Sequence, residues 1–108
     1  MDLVEECYKV TASFPREQQF GLTSQLQRAA VSIPANIAEG HGRQSTGDYL
    51  HHLSMARGSL MELETHLEMA FRLGYLPEPR MTVLFNQTSE IARMLNGLIA
   101  SLRKRKKT

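Results

Sequence analysis

The sequence predicts an all-α fold, an antiparallel up-and-down bundle of four helices in one domain. Apolar residues recur at steps of three and four along four segments, which is the spacing of one helix face. No segment alternates β-branched with polar residues, as half-buried strands do. Glycine and proline fall mostly between the periodic segments, so the connections are short and neighbouring helices should run antiparallel.

The first helix is predicted over about residues 2–13. Leu3, Cys7 and Val10 are spaced by four and three, and Pro15 ends the segment because the residue before a proline is pushed out of the α region. Cys7 is the only cysteine and cannot form an internal disulfide. In this apolar row it is interpreted as a small core residue, in keeping with a reducing compartment.

The second helix is predicted over about residues 18–40, with Leu22, Leu26, Ile33 and Ile37 on its apolar face. Its start stays open between residues 17 and 23. Either Thr23 or Ser24 caps a start in this range, or Gly21 lies inside a longer helix. Gly40 and Gly42 suit its end, because glycine accepts the left-handed conformation there.

Pro34 lies in the middle of this helix and predicts a kink. A proline inside a helix removes one backbone donor and costs about 3 kcal/mol unless neighbours compensate. The kink frees a carbonyl near Ala30, which Ser32 or a donor on a partner chain can satisfy.

The third and fourth helices are predicted over about residues 46–73 and 78–102. Thr46 is the expected N-cap of the third, and Gly74 marks its end. The apolar seam of the third helix consists of Tyr49, Leu53, Ala56, Leu60, Leu63, Leu67 and Ala70. The seam of the fourth consists of Met81, Leu84, Thr88, Ile91, Leu95, Leu98 and Leu102. Residues 103–108 are predicted to form a basic C-terminal tail.

A polar row accompanies the apolar face of the second helix, at steps of three and four: Gln25, Arg28, Ser32, Asn36, Glu39 and Arg43. Alanines beside it allow another helix to approach closely, and polar boundary residues can fix register and oligomeric state. Arg28, Arg43 and Arg57 are candidate partners for Glu39. We expect an assembly role for Gln25, Ser32, Pro34, Asn36, Glu39 and Gly40.

The serine and histidine residues are not spaced as a catalytic or metal site requires. Ser32 lacks the glycine context of a nucleophile elbow. His52 and His66 share a helix face but lie about 21 Å apart along it, too far to bind one metal ion. Glu62 and His66 are interpreted as an ordinary surface pair. We therefore predict no enzyme, no catalytic residue, no metal and no cofactor.

Charge is distributed unevenly although the net charge is only +2. Residues 103–107 are all basic, and the rest of the chain carries 8 basic against 11 acidic residues. Such a segment can bind phosphates, or it can simply favour a helix C-terminus and stay solvated. The candidate nucleic-acid-binding residues are Arg28, Arg43, Arg57, Arg103, Lys104, Arg105, Lys106 and Lys107. Aromatic residues are few, so base stacking is expected to be a minor term.

The N-terminal residues 1–10 carry early acids and no basic flank before an apolar stretch, so no signal peptide is expected. No apolar run approaches the roughly 18 residues that span a bilayer. These features predict a soluble cytoplasmic protein.

Three stretches resemble the bacterial four-helix-bundle family of ribosomal-RNA intervening-sequence proteins. They are FGLTSQLQRAAVSIPANIAEGHGR (residues 20–43), ARGSLMELETHL (56–67) and LGYL (73–76). The resemblance implies a homopentameric ring with a central channel. It also implies a relation to the accessory proteins of diversity-generating retroelements, pentameric bundles that bind nucleic acid and a reverse transcriptase.

Two functions follow as hypotheses. The first is a homo-oligomer that binds nucleic acid, in particular structured RNA, and the second is an assembly or adaptor module for a protein partner such as a reverse transcriptase. An isolated bundle should expose several apolar residues outside the seams, which indicates an interface. These residues are Leu50, Met55, Met61, Met69, Phe71, Phe85 and Ile99. A monomeric bundle is the third alternative.

Overall fold

The computed structural model describes the backbone of residues 1–107 and the side chains of residues 1–105. Its helices are α1 (Asp2–Thr11), α2 (Leu22–His41), α3 (Thr46–Arg72) and α4 (Glu78–Lys107), with a short 3-10 turn at Arg16–Gln18. The described backbone contains no strand, and the helices form an elongated bundle of 50 × 24 × 18 Å. The predicted all-α helical bundle is confirmed.

The helices follow one another around a single core. α2 packs against α3, α3 against α4, and α1 against both α2 and α4. Two hydrogen bonds fix the register between α3 and α4: Arg57 donates to Asn96, and Thr88 donates to the Glu64 carboxylate. Since the partner numbers fall on α4 as they rise on α3, these two helices are antiparallel.

The first two helices differ from the predicted bounds at their shared connection. α1 ends at Thr11 rather than residue 13, and the Thr11 hydroxyl donates back to the Cys7 carbonyl. α2 begins at Leu22 rather than residue 18, because residues 16–18 form the separate 3-10 turn. Neither Thr23 nor Ser24 caps it; Gly21 is the N-cap, and the Leu22 amide donates to the Gln18 side chain.

α2 remains one helix across Pro34 and ends at His41, and the kink stays a prediction. The expected left-handed exit is wrong: Gly42 caps the helix with φ −79°. Gly40 is buried, and a Cβ there would lie 2.7 Å from His52 Cβ and 2.9 Å from Tyr49 Cδ1. Gly40 therefore permits close contact between α2 and α3.

α3 confirms its predicted seam most fully, since every member is buried except the half-buried Tyr49. The N-cap is Ser45 and not Thr46, because the Ser45 hydroxyl accepts the Asp48 amide at 3.0 Å. The helix ends at Arg72, and Gly74 follows in the left-handed conformation with φ 81°.

α4 is longer than predicted and continues through the basic segment to Lys107, so residues 103–107 are helical and do not form a separate tail. Arginine and lysine are good helix formers, and cations stabilise a helix C-terminus. The seam also drifts. Ile99 is buried, whereas Ile91 and Leu98 are half-buried, because an α-helix rotates by about 20° per heptad relative to a strict 3.5-residue repeat.

Candidate assembly surface and nucleic-acid interface

The first three residues of the polar row of α2 line a groove between α2 and α3. This groove has a volume of about 350 Å³, and its walls are Gln25, Arg28, Ala29 and Ser32 of α2 and Glu62 of α3. Gln25 and Arg28 are exposed, and Ser32 is half-buried. The row therefore lies at the surface of the single chain, where a partner can reach it.

The residues around Pro34 bond mainly within α2. Ser32 Oγ donates to the Ala29 carbonyl at 2.9 Å. Its acceptor is therefore not the carbonyl of Ala30, which Pro34 was expected to free. Asn36 Nδ2 donates to the Ser32 carbonyl at 2.8 Å, and Asn36 Oδ1 lies 3.4 Å from His52 Nδ1. Asn36 thus links α2 to α3 while Ser32 stays local.

Only one of the three candidate partners of Glu39 is used. Arg43 donates to the Glu39 carboxylate at 2.6 Å, and both side chains are exposed. Arg57 instead donates to Asn96 at 3.1 Å across α3 and α4. Arg28 makes no hydrogen bond or ion pair within the described part of the chain, so its guanidinium is available at the groove.

A second recess, of about 570 Å³, lies on the other side of α2, towards α1. It shares Arg28 and Ser32 with the groove, and its other walls include Tyr8, Val31 and Ala35. The outward face of α2 is therefore a ridge between two depressions, with the small side chains of Ser32 and Ala35 following Arg28. A helix from another chain can approach such a ridge closely.

His66 is a residue that the sequence interpretation missed. It is only 9% exposed, and neither ring nitrogen has a hydrogen-bond partner among the described residues. The nearest acid, Glu62, lies 3.8 Å away and is itself exposed, so the pair is not an ordinary surface pair. The signal was the position of His66 between the seam residues Leu63 and Leu67.

Apolar side chains are exposed on α3 as predicted. Met55, Met61, Met69 and Phe71 are exposed, whereas Leu50 and Phe85 are half-buried against the core and Ile99 is buried. Met55 and Met69 each lie seven residues from Glu62, so the three side chains share one strip of α3 beside the groove. The groove is polar in the middle and flanked by apolar side chains.

Cations collect at one end of the bundle, which we call the basic end. α2 and α3 meet there through His41 and Tyr49, whose ring centroids are 6.0 Å apart. Arg57 of α3 contacts Asn96 of the antiparallel α4. Tyr49 precedes Arg57 by eight residues and Lys104 follows Asn96 by eight, so Tyr49 and Lys104 lie at about the same height in the bundle. Arg43, Arg103, Lys104 and Arg105 are all exposed at this end.

Charge at the opposite end is better balanced. Arg72 is paired with Glu68 at 2.9 Å, and Arg80 with Glu6 at 3.4 Å. At the basic end Glu39 is bonded to Arg43, Asp48 is exposed, and Asp2 follows Met1, which lies in one recess with His41 and Tyr49. The basic end therefore keeps an excess of positive charge.

The candidate nucleic-acid-binding residues do not form one patch. Arg28 lies about 20 Å from His41 along α2, and Arg57 about 12 Å from Tyr49 along α3. Both are therefore apart from the basic end. Lys106 and Lys107 lie outside the residues whose side chains the structure describes.

No group of three or more His, Cys, Asp and Glu side chains in the described part of the chain is arranged to hold a metal ion. Over the same residues, no helix combines the length and the apolar character that crossing a membrane requires.

A search of the curated proteins finds none that matches this chain. Among solved structures, a crystal structure from Bacteroides thetaiotaomicron VPI-5482 is similar. It is described as a protein of unknown function from the S23 ribosomal protein family. It is 27% identical, the match covers 91% of this chain and 92% of that one, and the TM-score is 0.84. The model of the 23S rRNA-intervening sequence protein family matches residues 1–97, and the chain therefore belongs to this family.

Proposed function

We propose that this protein is a non-enzymatic homo-oligomer that binds structured RNA through its basic end. The observation that carries the proposal is that Arg43, in the loop after α2, lies at the same end of the bundle as Arg103, Lys104 and Arg105 of α4. Lysine and arginine side chains that replace condensed counterions on phosphates supply sequence-independent affinity for nucleic acid.

The helical state of residues 103–105 supports this proposal. A helix holds its cations at a fixed spacing of about 1.5 Å rise per residue, so the segment presents an ordered surface to a phosphate backbone. Ordering these side chains on binding then costs less entropy than it would in a flexible tail.

The outward face of α2 supports self-association. The groove contains the exposed Glu62 and the exposed Arg28, which has no hydrogen bond or ion pair within the described part of the chain. A neighbouring chain can supply charged or hydrogen-bonding partners to both side chains. Met55 and Met69 on either side add apolar area to the same contact.

Self-association and RNA binding reinforce each other. A ring repeats the basic end once per subunit, so several weak phosphate contacts act at a high effective concentration. We propose five subunits, which is the number that the family resemblance implies. Affinity for RNA should then be strong at low salt and fall steeply as salt rises.

The test is a filter-binding titration of a structured RNA at several salt concentrations. The variant carries Arg103→Ala, Lys104→Ala and Arg105→Ala together. The matched control carries Arg16→Ala, Arg72→Ala and Arg93→Ala, which removes the same charge from exposed positions elsewhere. We expect the first variant to bind more weakly, with a smaller salt dependence, while the control stays close to wild type.

Equal losses in the two variants would show that net charge, and not the basic end, governs binding. Absence of binding by the wild-type chain would refute the RNA-binding proposal itself.

A protein partner is a second candidate, favoured by Phe20. This side chain is 91% exposed in the turn before α2, outside both depressions that flank the α2 ridge. A large aromatic side chain so exposed is available to fill a pocket on another protein. A pull-down from nuclease-treated lysate with wild-type and Phe20→Ala bait distinguishes the two candidates, because an adaptor should retain a defined protein only with wild-type bait.

A further inference from the structure

Four rings meet where α2 ends and α3 begins, and we call them the ring cluster: His41, Tyr49, His51 and His52. The His41 and Tyr49 rings lie 6.0 Å apart at 40°, and the His51 and His52 rings 5.9 Å apart at 66°. His41 and His51 are exposed. Tyr49 packs against the core, and His52 lies within 3.4 Å of Asn36, so the exposed rings stand on an ordered base.

An apolar recess of about 340 Å³ adjoins the ring cluster. Its walls include Pro34, Ile37 and Ala38 from α2, and His41 and Tyr49 border it. This volume lies at the lower end of the roughly 300–1,000 Å³ of small-ligand sites. The recess suits a flat, carbon-rich group of modest size, and Met1 and Met94 complete its lining.

The cations stand beside the recess and not inside it. Met94 of α4 lies at the edge of the recess. Arg105 follows Met94 by steps of four, three and four residues, so it lies on the same face of α4, about 16 Å further along the helix. On the α2 side, Arg43 follows His41 by two residues and shares its charge with Glu39. A polyanion that contacts both cations therefore lies near the end of the recess that His41 and Tyr49 border.

We propose that the apolar recess accepts one unpaired nucleobase of a bound RNA, stacked against the exposed ring of His41. This inference rests on the proposed RNA binding and names the kind of RNA. A nucleobase is the flat, weakly polar group that a polyphosphate chain carries, and every base has a face that stacks on aromatic or imidazole rings. The bases of a continuous duplex are already stacked and cannot enter.

The consequence is a preference for RNA with loops or bulges over fully paired RNA. Phosphate contacts at the basic end supply affinity for both forms, and the recess adds a contact that only an unpaired base can make. This base-binding recess was hard to predict from the sequence. Three of the four rings are histidines, and the half-burial of two of the rings is visible only in the structure.

The experiment compares a hairpin carrying 2-aminopurine in its loop with a blunt duplex of equal phosphate number. The proteins are the full-length wild type, His41→Ala, His41→Phe and Phe20→Ala, with helical content checked by circular dichroism. His41→Phe keeps a ring at the recess, and Phe20→Ala removes an exposed ring from another part of the surface.

We expect wild type to quench the 2-aminopurine and to prefer the hairpin. His41→Ala should lose quenching and weaken hairpin binding roughly five- to a hundredfold, with little change in duplex binding. His41→Phe and Phe20→Ala should both behave like wild type.

Equal wild-type affinity for hairpin and duplex, or unchanged quenching in His41→Ala, would overturn the base-binding recess and leave the proposed RNA binding intact. A wild-type chain that binds neither RNA would overturn both. An equal loss in Phe20→Ala would also count against the recess, because the effect would not be specific to its rings.

Discussion

Gly40 lies where α2 and α3 approach each other closely. An added Cβ would lie 2.7 Å from His52 Cβ, an atom held by its own backbone, and 2.9 Å from the Tyr49 ring. Gly58 offers a matched comparison, because it also lies inside a helix but has no atom within 4 Å of an added Cβ. The same substitution should therefore act with opposite sign at the two positions.

We predict that Gly40→Ala lowers the free energy of unfolding by about 1–3 kcal/mol through overpacking. Gly58→Ala should raise it by about 0.5–1 kcal/mol, because alanine loses less backbone entropy in a helix. Urea denaturation followed by circular dichroism measures both. A Gly40→Ala variant as stable as Gly58→Ala would contradict the close packing.

Cys7 provides a test of core burial through pH. Burial raises the pKa of its thiol from 9.0 to about 12, and the nearby Glu6 carboxylate adds to the rise. Below pH 9 the folded and unfolded chains both keep the proton. Between pH 9 and 12 the unfolded chain loses it first, so the free energy of unfolding falls as pH rises through this window.

We therefore expect wild type to lose more stability than Cys7→Ala when urea denaturation is compared at pH 8 and pH 10.5. Tyrosine and lysine titrate in both proteins, so the difference between them isolates the thiol. Equal losses would mean that the Cys7 thiol reaches solvent.

The sequence predicted the structural role of some single residues and not of others. The burial of Cys7 follows from its place in the apolar row of α1. The choice of N-cap does not, because Ser45 and Thr46 are adjacent hydroxyl residues that cap helices comparably well. The extended backbone of Ser45, with φ −98° and ψ 144°, decides the matter, and only the structure shows it.

At the scale of elements, the N-cap determines where α3 begins. We predict that Ser45→Ala costs about 1 kcal/mol of stability, because the Asp48 amide loses its acceptor. Thr46→Ala should change stability by less, since Thr46 is the first helical residue and its side chain accepts no capping bond. Thermal unfolding of the two variants measures the difference, and a larger loss for Thr46→Ala would reverse the assignment.

Periodicity predicted helices well where the apolar pattern was continuous. The seam of α3 is unbroken at steps of three and four, and its members were found correctly. The start of α2 carries no comparable signal, because it depends on Gly21 and on a side-chain bond from Gln18. The end of α4 was missed because charge suggested a tail, although arginine and lysine favour helices.

At the scale of the whole molecule, a single chain leaves several groups without partners. Arg28 has no hydrogen bond or ion pair among the described residues, and Met55 and Met69 are exposed on the same side as its groove. The polar row was predictable from spacing, but the groove was not, because it depends on how Glu62 of α3 faces α2. In the proposed oligomer, another copy of the chain covers these side chains.

The outward face of α2 also supplies a pair of matched variants. Ala35 borders the recess between α1 and α2, whereas Ala100 is exposed near the end of α4. Glutamate at either position is compatible with an exposed helix surface. Only Ala35→Glu places a charge on the proposed contact, so it should separate the subunits without unfolding them.

Light scattering coupled to size exclusion tests the central claim of self-association most directly. We predict that the wild-type chain and the Ala100→Glu variant have a mass several times the 12.2 kDa of one chain, near 61 kDa for five copies. Ala35→Glu should elute at about 12 kDa with unchanged helical content. A wild-type mass near 12 kDa at every concentration would contradict the proposed self-association.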